Sequence, residues 1–257
     1  MANTIQQAGG GKIELFDDFT GGNEILNAGT VAPPLPVGNG TFFGVGQGLA
    51  ETDSGAEVQN ALNGVYRFTA TDEAEHDSGW TTPIMFDVGL MGTITAECRV
   101  SFPTSLVTRE FFFGFSDVQT DLAILEGAIA HGVTSTFTLT ASDICGFWLS
   151  SELTANAEWH AIHNGGTTTG VTDTTLLDLD VDAVAAEFDI LRLELDSNGT
   201  ARWYINGALV KTLAGAVSTS VNLCCSGLVE EKVTGSAAAD WDYVRIRANR
   251  HWDDDNA

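Results

Sequence analysis

Basic side chains are scarce in this sequence. Eleven Lys plus Arg face 35 Asp plus Glu over 257 residues, giving a formal net charge of −24 at pH 7, and the lysines are Lys12, Lys211 and Lys232 alone. A surface of that sign repels phosphate backbones, which excludes nucleic acid as a direct partner. It suits solubility in salty water and leaves basic proteins or cations as complementary partners. No run of 18 apolar residues occurs, so no helix is expected to span a membrane. The opening "MANTIQQAGGGK" has neither the basic start nor the apolar stretch of a secretory signal. The chain is therefore expected to be made in the cytoplasm without a signal peptide, and to stay there or leave by lysis or assembly.

Several chemical signatures are absent. There is no CxxC pair among Cys98, Cys145, Cys224 and Cys225, and free thiols are expected where export is not. No G-x-S-x-G elbow marks a nucleophilic serine. "GVGQG" (Gly44 to Gly48) is followed by no Lys-Ser/Thr and lies outside any βαβ pattern, so it is no phosphate loop. His160 and His163 in "WHAIHNG" are three apart; on a strand they point to opposite faces and cannot share one metal ion.

What is present is β structure. Apolar residues do not recur at spacings of three and four, whereas runs that alternate or stay apolar between turn clusters do. "KIELFDDF" reads as a first strand, and "GVYRFTAT", "PIMFDV", "TITAECRVSF", "REFFFGFSD", "CGFWLSS", "WHAIHNG", "FDILRLELD", "ARWYING", "NLCCSGLVEE" and "WDYVRIRA" follow. In "TITAECRVSF", Ile94, Ala96, Cys98, Val100 and Phe102 share one face, which places the Cys98 thiol in the core. The continuous phenylalanines of "REFFFGFSD" suit a strand buried on both faces. "TGGNEILNAGTVAPPLPVGNGT" holds three of the five prolines and reads as a long irregular excursion of the kind that makes contacts. "DVQTDLAILEGAIAHG" is the one short helix expected. The organisation predicted is a flexible N-terminal arm (1–12), a single β-sandwich domain (13–250) and an acidic tail (251–257).

The stretch "EFDILRLELDSNGTARWYING" (187–207) carries the most information. Leu191, Leu193 and Leu195 share one face, while Arg192, Glu194 and Asp196 share the other, the period of a half-buried strand. "DSNGT" supplies a turn, Trp203 and Ile205 line one side of the return strand, and Asn206-Gly207 makes the next turn.

A strand pair ending in this kind of turn resembles the concanavalin A-like sandwiches, which include legume lectins, laminin-G modules and laminarinase-type glycosidases. "FDDF" near the start, "NGVYRF" on an early strand and "DWDYVRIR" at the close resemble the same family in the same order, from about residue 13 to 248. The resemblance implies an all-β, concanavalin A-like jelly roll of two antiparallel sheets. Retaining glycosidases need two carboxylates about 5 Å apart, which the laminarinase-like enzymes carry as Glu-x-Asp-x-x-Glu. Here Glu187-Phe188-Asp189-Ile190-Leu191-Arg192 ends in arginine. The family's catalytic strand also maps nearer "GFWLSSE", which offers only Glu152. Glu187 and Asp189 are thus expected to be the solvated start of a strand, and no catalytic residue is assigned. The family's structural calcium implies ligands at Asp18, Gly64 and Asp242, an ordinary oxygen set for that ion. Trp80, Trp148, Trp159 and Trp203 would serve core packing, or sugar stacking if exposed.

The phrases "CGFWLSSE", "WHAIHNGGTTTGVTDT", "RLELDSNGTARWYINGALV" and "DYVRIR" are similar to decoration proteins on the capsids of marine tailed bacteriophages. That resemblance implies a non-enzymatic structural virion protein. It would bind the major capsid protein on the outer head surface and self-associate, as a trimer at threefold points, without membrane or nucleic acid. A carbohydrate-binding module displayed on a virion, with a glycan ligand, is the alternative.

Overall fold

The computed structural model describes residues 11–20, 25–26, 35–46, 55–59, 61–62, 64–71, 76–103, 105–119, 124–130, 137–153, 156–171, 174–232 and 235–250. Residues 1–10 of the expected arm, the expected tail 251–257, and most of the proline-rich excursion lie outside these.

In chain order the strands begin with β1 (Lys12–Asp17), β2 (Ile25–Leu26), β3 (Leu35–Val37), β4 (Phe42–Val45), β5 (Gly55–Gln59), β6 (Val65–Thr71), β7 (His76–Thr81), β8 (Phe86–Asp87), β9 (Ile94–Ser101) and β10 (Arg109–Ser116). One helical turn, α1 (Ile124–Ala128), falls inside the segment expected to be helical and leads into β11 (Ile129–Ala130) and β12 (Thr138–Leu139). Then come β13 (Ile144–Ser150), β14 (Glu158–Asn164), a second turn α2 (Thr174–Leu177), β15 (Asp178–Asp182), β16 (Phe188–Leu195), β17 (Ala201–Ile205), β18 (Ala208–Leu213), β19 (Asn222–Glu231) and β20 (Ser236–Asn249).

Eighteen of these strands form two nine-stranded sheets, and β11 pairs with β12 in a separate two-stranded ladder. The first runs β18-β17-β16-β9-β20-β6-β5-β2, with β1 also on β20; the second runs β15-β14-β13-β10-β19-β7-β4-β3, with β8 also on β19. The described pairings are antiparallel, and the expected all-β sandwich of two antiparallel sheets holds. β20 is the splint of the first sheet. Its first half pairs with β6 and its second half with β1, while β9 runs along its other edge.

Alternation sets the layers. Cys98, Leu191, Leu193, Trp203 and Val244 of the first sheet meet Phe111, Phe113, Phe147 and Trp159 of the second in the main core. Trp80 and Trp241 stand edge to face at 5.5 Å, Phe111 stacks on Trp241 at 5.4 Å, and the Trp203 indole donates to the Gly146 carbonyl at 2.8 Å. All four cysteines are buried free thiols.

The second sheet is covered on its other face as well. Phe112, Ile144, Trp148, Ile162 and Leu228 point away from the main core into a smaller cluster closed by Leu125, Ala128, Ile129, Phe137, Leu153 and Leu177. This explains the unbroken "REFFFGFS" and "ICGFWLS", every residue of which is buried. At Gly227 the two inter-sheet tryptophans leave no room for a side chain, because an added Cβ would lie 2.4 Å from Trp241 and 2.6 Å from Trp80. A Gly227→Ala substitution is therefore expected to cost about 1–3 kcal/mol of stability by overpacking, measured by urea unfolding.

Candidate functional site

The covered face of the second sheet carries a row of charge. Register places Asp77 on β7 beside Glu230 on β19, Glu230 beside Glu110 on β10, and Glu110 beside Ser150 on β13. Glu110, Glu230 and Lys232 are all 0% exposed. The Lys232 ammonium lies 2.5 Å from Glu230 Oε1 and 3.3 Å from Glu110 Oε2, and the Trp148 indole donates to Glu110 Oε1 at 2.6 Å. Asp77 Oδ2 accepts the Leu125 backbone N–H at 2.7 Å, which ties the helical turn α1 down onto the sheet. Charges out of water persist only when matched in this way. The row was not foreseen from sequence, because Glu110 and Glu230 sit at the ends of distant strands and meet only through their pairing.

The acids of the quoted stretch have another task. Asp189 accepts the Trp159 indole N–H at 3.0 Å through Oδ2 and the Asn206 amide at 2.8 Å through Oδ1. It thereby joins the first sheet to the second and to the Asn206-Gly207 turn, whose residues take φ of 51° and 83°. Asn206 also accepts from the Ile190 N–H at 2.9 Å. The expectation of a merely solvated strand start is corrected for Asp189 and holds for Glu187, which is exposed. Arg192, in the place of the missing acid, pairs with Glu194 at 3.0 Å and lies over the Tyr204 ring at 4.1 Å. Glu152 lies beyond the end of a strand of the second sheet, whereas these acids open β16 of the first. It follows β13 and lines a cavity of about 170 Å³ with Leu106, Val107, Thr108, Ser151 and Asn156, below the several hundred Å³ usual for a ligand pocket.

Of the three residues implied for calcium, Gly64 packs against the bend that follows Asp18. The Gly64 backbone, at φ 82°, abuts Thr20 and the Phe19 carbonyl, next to Asp18. Asp18 Oδ1 accepts from Thr20 Oγ1 at 3.0 Å and from the Asn39 amide at 3.1 Å. Asp242 instead faces Arg99, with its carboxylate 2.5 Å from the guanidinium. The neighbouring Asp17 is the buried acid of this bend. It accepts the Phe19 N–H at 2.9 Å and the Asn39 N–H at 2.8 Å, yet burial pushes its carboxyl up to about 6.

His160 and His163 stand on opposite faces of β14, as their spacing requires. Both are buried, and burial lowers the pKa of each ring. Trp80, Trp148, Trp159, Trp203 and Trp241 are each 0% exposed, so none of these five offers a stacking surface.

The outer face of the first sheet is open and ordered by ion pairs: Arg67–Asp240, Arg99–Asp242, Arg192–Glu194, Arg202–Asp196, and Arg245 and Arg247 on Glu14. Lys12 adds a bond to Asn249 there. This face holds seven of the eleven basic residues and is close to balanced, so the negative excess is carried elsewhere.

No family model matches this chain, and no curated protein sequence matches it. Solved structures do. A protein of unknown function from Shewanella oneidensis MR-1 is 11% identical with a TM-score of 0.56, over 96% of this chain and 90% of that one. A conserved carbohydrate esterase from Shiga toxin-encoding bacteriophage phi24B is 13% identical with a TM-score of 0.50, over 80% and 90%. The carbohydrate recognition domain of Emp46p is 10% identical with a TM-score of 0.49, over 74% and 85%. The likeness is one of fold.

Two expectations follow. Asp189→Ala leaves the Trp159 indole without its acceptor and should lose about 1–3 kcal/mol, whereas Glu187→Gln should be neutral; chemical denaturation distinguishes them. Asp17 carries a folded pKa above its unfolded value near 3.8. The folded state then binds the extra proton between those values, so stability falls as pH rises from about 4 to 6 and is level above. The stability difference between the natural chain and Asp17→Asn, followed across that window, should drift by no more than about 3 kcal/mol in this direction.

Proposed function

We propose that this chain is a structural protein of a virus particle. It binds the major capsid protein on the outside of a tailed-phage head, reinforces the shell, and associates with copies of itself as a trimer. It is not an enzyme, and it engages neither membrane nor nucleic acid.

One observation carries the choice between this reading and a sugar-binding one: the second sheet is closed on both faces, and its tryptophans are buried. Sugar-binding sites use exposed aromatic faces beside convergent polar groups. Here the aromatic rings fill cores, and the polar row of Glu110, Glu230 and Lys232 is wholly buried. Asp189 and Arg192 act as joints. A module stiffened in this way serves attachment and support, and the open, charge-balanced face of the first sheet gives it a firm surface to present. The resemblance of its phrases to phage decoration proteins is what supports the capsid as partner.

The test is co-sedimentation of the purified chain with empty tailed-phage heads. Saturation at a fixed ratio to the major shell protein, with a rise in the temperature at which heads break, is the expected result. Glycan-array binding without head binding would replace this reading with the lectin one. Release of sugar that disappears in Glu152→Gln would replace it with a hydrolase.

A further inference from the structure

On the covered face of the second sheet, Lys232, Glu110 and Glu230 bring one amine and two carboxyl groups together where water does not reach, for all three are wholly buried. The strands dictate the arrangement. β10 and β19 are antiparallel, with Glu110 directly opposite Glu230. Lys232 stands two residues beyond Glu230, on the same face. Its backbone N–H bonds the Thr108 carbonyl at 2.9 Å, which carries the pairing past the end of β19. The Lys232 nitrogen lies 2.5 Å from Glu230 Oε1 and 3.3 Å from Glu110 Oε2. Trp148, on the neighbouring β13, donates its indole N–H to the other oxygen of Glu110, Oε1, at 2.6 Å.

Each group stands where one reaction needs it. An ion pair out of water is costly, and a proton passed from ammonium to carboxylate gives a neutral amine beside a neutral acid. A desolvated neutral lysine is a nucleophile. Glu110 is the carboxyl with a fixed donor already aimed at one oxygen, as an oxyanion hole requires. Glu230, in contact with the nitrogen, is placed to act as base and then as acid. Side chains held at these separations bring the reacting atoms near attack distance without further ordering.

We propose that the folded chain joins Lys232 to Glu110 through an isopeptide bond, with Glu230 moving the protons. Glu230 takes a proton from the Lys232 ammonium and passes it to Glu110 Oε2, which leaves Glu110 as the neutral acid. The nitrogen lone pair then forms a bond to Glu110 Cδ, and the charge that develops on Oε1 is held by the Trp148 indole. Glu230 takes a second proton from the nitrogen and delivers it to Oε2. The Cδ–Oε2 bond breaks, water leaves, and Glu230 ends as it began. An ammonium and a carboxylate become an amide and one water, with no oxidant or other reactant consumed. The bond would staple β10 to the end of β19 and restrict the unfolded chain as other long-loop cross-links do. It does not depend on the capsid reading.

The test is the intact mass of the full chain, purified in its folded state and measured after denaturation. The expected species is one water lighter than the sequence, with a proteolytic fragment that joins the peptide holding Glu110 to the peptide holding Lys232. Lys232→Met should keep its full sequence mass. Glu230→Gln should gain the lighter form about 100-fold more slowly, the loss expected on removing a proton shuttle. A natural chain that stays at full sequence mass through prolonged incubation would overturn the bond. So would a lost water that maps elsewhere, such as to an aspartyl succinimide, or a Glu230→Gln chain that cross-links at the natural rate. Because the natural chain alone decides whether the bond exists, a variant that fails to fold leaves the test intact.

Discussion

The second sheet lies between two apolar layers, and that enclosure governs the rest of the molecule. A sheet with one wet face can send its polar side chains into water. A sheet with none must satisfy each of them internally. Lys232 is placed between Glu230 and Glu110, the Trp148 indole turns to Glu110, and Asp77 takes the amide of Leu125. Removing any one of these would leave a charge or dipole stranded, a larger loss than the bond itself was worth. The covering layer is held by the same polar groups it hides.

The two sheets divide the work. The first keeps an open outer face on which arginines alternate with acids across neighbouring strands. Exposed pairs of this type add little to stability, each about 0–1 kcal/mol. Their repetition does fix register, because a slip by one residue would turn the leucines of β16 outward and carry Arg192 and Glu194 into the core. The second sheet supplies the rigid body, with aromatic rings from both layers meeting around Trp80, Trp241 and Phe111. Asp189 spans the division, anchored in β16 and bonded to an indole of β14.

Much of the fold was legible in the residues. Alternation in "TITAECRVSF" and "FDILRLEL" set the inward faces of β9 and β16, and unbroken apolar runs announced the doubly buried β10. Strands of another kind escaped notice. "HDSGWT" became β7 although Gly and Asp are poor strand formers, because Gly79 must lie against the Gly227 carbonyl, where an added Cβ would come within 2.1 Å. "DLDVD" became β15 at an edge, where acids are tolerated. The site was less legible than the scaffold. Glu110 and Glu230 meet only across β10 and β19. Asp189 was read as solvated since its partner Trp159 arrives from the opposite sheet. Local pattern carries strand identity; it does not carry which distant strand will lie alongside.

β1 and the end of β20 run antiparallel from Lys12 beside Asn249, and the Arg250 amide bonds the Gly11 carbonyl at 2.8 Å. Residues 11 and 250 thus emerge from one corner of the domain. Joining them by a short bridge would ask little of the body. Cargo joined at residue 11 or at residue 250 would be carried at the same place on the molecule, at the margin of the arginine-lined face.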